Sequence, residues 1–188
     1  AHHILLLPPA FRMRSIVILA ALLHVACLPD DEAAVAADVK YIKCDTCRQL
    51  VAAVHEQVAA ERKKSKAKKL SEDSIQTIIE SACKPSTEAG AWLKFVDMVE
   101  SEKDGRIRVE KQAEDGPCGR ECKTVGMACE QLLEEGWENE LSEGLFGGEA
   151  ADELASTACK EWSSACRKAA PKADKARKPG PPFRPFTE

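Results

Sequence analysis

Nine cysteines in a chain of 188 residues constrain the fold more than any other feature. Eight lie beyond residue 40, and six of those fall on apolar helical stripes: Cys44-Asp-Thr-Cys47, Cys83, Cys129, Cys159 and Cys166. A cysteine in register with a helix's inward stripe faces the core, where it can bond to a neighbouring helix without leaving apolar surroundings. The order allows a nested set: Cys44 with Cys166, Cys47 with Cys159, and Cys83 with Cys129. It is one of fifteen connectivities open to six cysteines, and the sequence leaves that choice open. In the nested set the outermost bridge closes a loop of over a hundred residues, worth about 4–5 kcal/mol by chain entropy. The remaining two, in Cys118-Gly-Arg-Glu-Cys122, are four residues apart at a helix start and can clamp it by bonding to each other. A reducible pair that exchanges with other proteins is the rival reading.

The compartment decides how these thiols are read. Met13-Arg14 is followed by the apolar run Ile16–Leu23, which continues less cleanly to Leu28, and Ala34-Val35-Ala36 supplies small residues for cleavage. A basic start, a short apolar core and an A-x-A site describe a secretory signal over residues 13–36, too short for a membrane span. Residues 1–12 are expected to be upstream translation or a gene-model artefact. Cys27 falls inside the signal, so an even cysteine count enters an oxidising lumen, where pairing is the default.

About 150 residues remain, enough for one domain with a real core. From Ala37 to Cys166 there are 18 Lys+Arg against 26 Asp+Glu, whereas Arg167–Glu188 carries 7 against 2. An acidic body with a basic, proline-rich tail is a poor nucleic-acid binder outside the tail.

The apolar periodicity predicts helices. Cys44, Cys47, Val51, Val54 and Val58 mark one face, which runs out in the basic segment Arg62–Lys69. Ser71 is placed to cap a second helix bearing Ile75, Ile78, Ile79, Ala82 and Cys83, with Leu70 as its staple. Trp92–Val99 is compatible with a third helix, and Arg106–Glu110 alternates like a small extended piece. Beyond Gly116-Pro117 a longer helix carries Val125, Cys129, Leu132, Leu133, Trp137, Leu141 and Leu145. A last helix carries Leu154, Ala155, Ala158, Cys159, Trp162 and Cys166. Residues 169–188 show no apolar period and are expected to be a disordered tail. The fold class is therefore all-α: a disulfide-stapled helical bundle spanning 37–168 with a disordered basic tail.

Material for catalysis is thin. His55 is the single histidine after the signal, which leaves almost nothing for a histidine zinc site or a Ser-His-Asp triad. Glu134, Glu135, Glu138, Glu140 and Glu143 lack the loop spacing of a calcium site and read as a solvated face. A thiol–disulfide exchanger at Cys44/Cys47 has Arg48 beside it, but Asp45 opposes thiolate formation and no βαβ pattern surrounds the pair. No catalytic residue, metal site or cofactor is assigned. Charge runs are mostly solvated, yet Lys63, Lys64, Lys66, Lys68 and Lys69 are the candidate partner-binding residues.

Several segments together resemble the canopy family of saposin-like proteins. They are Cys44-Asp-Thr-Cys47-Arg-Gln-Leu-Val51, Phe95-Val-Asp-Met-Val-Glu100, Cys118-Gly-Arg-Glu-Cys122-Lys-Thr, Ala128-Cys129-Glu130, and the acidic helix leading to Cys159 and Cys166. The resemblance covers roughly Lys40 to Arg167. It implies a saposin-like helical fold with the nested bridges and residence in the endoplasmic reticulum. It also implies a non-enzymatic role as a folding adaptor or co-chaperone for client proteins or chaperones of the secretory pathway. The last residues are not a Lys-Asp-Glu-Leu-type retrieval signal, so both the reticulum lumen and secretion are expected destinations. The Cys118/Cys122 pair is additional to the six-cysteine core. A second expectation is lipid binding by a hinged-open apolar face, with Val51, Val54, Ile78, Ile79, Leu132, Leu133, Trp137 and Trp162 as its surface. The rival view is that these side chains are simply core.

Overall fold

The computed structural model describes residues 33–66 and 69–186. Residues 1–12, most of the expected signal peptide with Cys27, and Lys68 lie outside the described residues. Among the described residues, no helix is long and apolar enough to cross a membrane.

Helix α1, Val39–Lys64, runs for 26 residues, about 39 Å at the α-helical rise. It buries Cys47, Val51, Val54 and Val58 of the stripe its periodicity predicts, with Cys44 partly buried, and adds Ile42 and Leu50 to it. Helix α2, Glu72–Ser81, starts at Ser71, whose Oγ accepts the Ser74 N–H at 3.2 Å. Leu70 packs against the core that holds Ile75.

The segment read as a third helix is a 3-10 turn, Ala91–Phe95, leading into strand β1, Val96–Glu100. Strand β1 pairs antiparallel with β2, Ile107–Lys111, placing Val96 opposite Lys111, Met98 opposite Val109 and Glu100 opposite Ile107. The bundle is thus mostly helical but carries a two-stranded sheet. A short run of apolar residues suits either period, and here the deciding factor is its partner strand. Val96, Met98, Ile107 and Val109 all bury one face of the hairpin. A two-stranded hairpin is marginal in isolation, and this one is seated on α1. The Val109 N–H donates to Asp45 Oδ2 at 3.3 Å.

Helix α3, Arg120–Leu133, and helix α4, Glu138–Gly147, replace the single long helix expected from the sequence. Gly136, at φ 81°, turns the chain between them, and the Trp137 indole donates to Leu132 O at 2.6 Å. Helix α5, Ala151–Thr157, runs on as a π-helical turn, Ala158–Trp162.

Two apolar clusters result, and both α1 and α3 contribute to each. Tyr41 and Ile42 join the hairpin, Val125 and Ala128 in one. Cys47 through Val58 join Ile75, Ile79, Leu132, Trp137, Leu141, Leu145 and Leu154 in the other.

The tail corrects a second expectation. Rather than being disordered, residues 173–186 lie along the body. Ala173 N–H donates to Gly105 O at 2.8 Å, Gly180 N–H to Glu121 Oε1 at 3.0 Å, and Phe186 N–H to Asp115 O at 3.1 Å. Arg177 Nε meets Asp38 Oδ2 at 2.9 Å, with both side chains nearly fully buried. These contacts go mainly through the backbone, which has no periodic signature in sequence.

Candidate functional site

All eight cysteines among the described residues are bonded: Cys44–Cys166, Cys47–Cys159, Cys83–Cys129 and Cys118–Cys122. Their Cα separations run from 4.7 to 5.8 Å, within the usual range. Cys44 and Cys47 bond to the far end of the chain and not to each other, so the Cys-Asp-Thr-Cys segment holds no local disulfide.

On straight helices the first two bridges could not both form. Cys44 and Cys47 are separated by about 4.5 Å of rise, but Cys159 and Cys166 by about 10.5 Å. The π-helical turn ends at Trp162, and residues 163–166 bend back, with the Cys166 N–H donating to Cys159 O at 2.8 Å. That bend brings Cys166 to Cys44. Glu135 holds the bend in place. It accepts from Ser164 N (2.7 Å) and Ser164 Oγ (3.0 Å), and Lys43 Nζ lies 2.6 Å from its carboxylate. Burial pushes this carboxyl up, but Lys43 and Ser164 outweigh it and leave it below its ordinary value. Glu135 is therefore a clasp between α1, the α3–α4 turn and the C-terminal bend, not part of a solvated acidic face.

The outward face of α1 is bordered by two open clefts. One, of about 360 Å³, lies against α5 and is lined by Arg48, Gln49, Ala52, Ala155, Lys160 and Cys166, among others. The other, of about 310 Å³, is lined by Ala53, Gln57, Ala60, Trp92, Phe95 and Lys111, among others. Alanines at 52, 53 and 60 keep the ridge between the clefts low. Trp92 is fixed by its indole N–H, which donates to Ala82 O at 2.9 Å, and its ring forms part of the second cleft's wall. The alanines of this ridge were not singled out from the sequence. Their signal there, small residues on the polar side of an amphipathic helix, has no chemistry of its own.

Four of the five candidate lysines, Lys63, Lys64, Lys66 and Lys69, are among the described residues. Lys63 and Lys66 are exposed, and Lys69 borders a cleft of about 290 Å³ with Arg62, Leu70 and Phe146. Lys64 is engaged by Glu61 at 2.6 Å and Glu88 at 3.1 Å. The apolar side chains proposed as a lipid surface are largely interior: Val51, Val54, Ile79, Leu132 and Trp137 are buried, with Ile78, Leu133 and Trp162 partly so.

A further electrostatic feature sits at the start of α3. Burial, reinforced by a shared hydrogen bond with Asp97, pushes the Glu121 carboxyl up to about 7. N–H donors from Met98 (3.1 Å) and Gly180 (3.0 Å) oppose that rise. Among the described residues, no three His, Cys, Asp or Glu side chains cluster so as to hold a metal ion.

No family model matches this chain, and no curated protein or solved structure matches it either. Four bridges in one small domain fit an oxidising, secretory or extracellular environment.

Proposed function

We propose that this protein is a non-enzymatic folding adaptor of the secretory pathway, a saposin-like, canopy-type domain that binds client proteins or chaperones. The observation that carries the reading is the pair of clefts flanking the outward face of α1, with Trp92 and Phe95 on one side and Arg48 and Lys160 on the other. A rigid helix face with an aromatic wall and nearby cations suits an extended or helical polypeptide segment. The nested bridges support the reading because they are the pairing that the family resemblance implies, and they hold α1 firmly between its neighbours. With every described cysteine bonded, and Cys44 and Cys47 each tied to a distant partner, thiol exchange is the weaker reading. With the apolar stripes packed inside, so is lipid binding.

The test is site-specific photo-crosslinking in the lumen of secretory cells. A photoreactive residue at Ala53 or Trp92 should give discrete adducts with chaperones or newly made secretory chains, and one at Glu80, exposed on α2, should not. Equal labelling at all three positions, or none, would sink the adaptor reading.

A further inference from the structure

The tail contacts have the character of a bound peptide. The segment makes one tight turn, in which the Arg177 N–H donates to Asp174 O at 2.9 Å, and is otherwise extended. It is held by backbone N–H groups, which donate to Gly105 O, Glu121 Oε1 and Asp115 O, and by one anchoring side chain, Arg177. Backbone hydrogen bonds supply affinity and a few side-chain positions supply selectivity, as in other modes of strand-like peptide recognition. The receiving trough is formed by the hairpin turn, the start of α1 and the start of α3. Its acidic groups are Asp38 and the Asp97–Glu121 pair, which shares a hydrogen bond, with Glu121 pushed up to about 7. A tail-facing cation, Arg120, donates to Lys178 O, whereas the tail from Arg167 carries 7 Lys+Arg against 2 Asp+Glu. That complementarity favours cations over anions.

Two close approaches make the trough selective. A Cβ built on Gly180 would lie 2.8 Å from Glu121 Cγ and closer still to its Oε1, so a larger residue there would displace the Glu121 carboxylate from its bond with the Gly180 N–H. On the receiving side, a Cβ on Gly116 would lie 2.6 Å from Arg184 O and 3.0 Å from the Phe183 ring. The anchor is also incompletely used. Arg177 Nε reaches Asp38, but its Nη2 is buried without a partner, so the hold is weaker than a two-pronged guanidinium–carboxylate fork.

We infer that this trough is a binding site for a cationic peptide, extended but for one tight turn leading into its anchoring arginine and with glycine three residues beyond it, occupied here by the chain's own tail. The inference is independent of the adaptor reading, since it concerns a different face. Release of the tail opens the site to a segment of the same chemistry from another chain.

The experiment uses the folded, oxidised protein with a specific protease site inserted between Lys168 and Ala169. After cleavage, the tail is washed off and a labelled peptide of residues 172–186 is titrated by fluorescence anisotropy. The expected result is saturable binding to the stripped body and none to the uncut chain. Asp38→Asn in the body, or Gly180→Ala in the peptide, should each weaken binding at least about tenfold, or 1.4 kcal/mol. Equal binding of the wild-type and Gly180→Ala peptides, or absence of binding to a stripped body with native circular dichroism, overturns the inference. If the stripped body unfolds, the uncut Gly180→Ala chain decides. Its amides at Ala173, Gly180 and Phe186 should exchange at least about tenfold faster, with α1 and α3 unchanged. Unchanged protection in the tail refutes the site.

Discussion

Because the Cys44–Cys166 and Cys47–Cys159 bridges are nested, removing both should cost more than the two single removals together. Sequence separations of 122 and 112 mean that, with either bridge present, the other closes a ring of only ten further residues. Opening that ring releases about 2.7 kcal/mol of chain entropy, so Cys44→Ala/Cys166→Ala and Cys47→Ala/Cys159→Ala should each cost about that much. When both are absent, the long loop opens as well. The Cys83–Cys129 bridge short-circuits 46 of its 112 residues, leaving a free path of about 66 and a further term of about 4.4 kcal/mol. The quadruple variant should therefore lose about 7 kcal/mol, exceeding the sum of the pairs by about 1.5–2 kcal/mol. Packing changes from each Cys→Ala enter once per side of this cycle and cancel from the excess. Urea unfolding in a common trimethylamine-oxide background keeps all four proteins in the measurable range. At a slope of about 2 kcal/mol/M, either pair should lower the midpoint by about 1.3 M. A quadruple variant whose loss equals or falls short of the sum would refute the nested-loop reasoning, even with the bridges confirmed by peptide mapping.

Three further outcomes follow from particular contacts. Leu154, fully buried, packs between the bundle and α4, so Leu154→Ala should destabilise by about 2–5 kcal/mol in equilibrium unfolding. Gly90 lies so close to the Lys84 carbonyl that a Cβ cannot fit without backbone movement; Gly90→Ala should cost about 1–3 kcal/mol and lower the thermal midpoint. The Glu121 carboxyl has a folded value of about 7 against an ordinary 4.5, so the folded state binds the proton more tightly. Stability should therefore fall as pH rises through the window from about 4.5 to 7. The loss should be about 1–2 kcal/mol after allowing for partial solvent screening. Glu121→Gln should flatten that slope in urea titrations at pH 5 and pH 8, and an unchanged slope would assign it to other groups.

Local pattern was enough to place the inward stripes of α1 and α2, the Ser71 cap and the register of the cysteines, because each depends on neighbours within one or two turns. The same reasoning misplaced Trp92–Val99. Its apolar residues satisfy both periods, and the choice was made by Ile107 and Val109 across the ladder. It also joined α3 to α4, since Leu132, Trp137, Leu141 and Leu145 keep a helical spacing across the Gly136 turn. The clefts beside α1 were not legible, because concavity arises where Ala52 and Ala53 face elements distant in sequence.

What the sequence determined by itself is that this chain forms amphipathic helices with cysteines turned inward, because side-chain direction follows from helical period alone. Which sulfur meets which was decided by tertiary structure. A straight last helix would leave Cys166 about 6 Å out of step with Cys44, and only the π-helical turn and the bend held by Glu135 close that gap. The tail was decided the same way. Its hold depends on backbone donors and one buried arginine, and such groups find partners only after the acidic trough has been assembled from three separate parts of the chain.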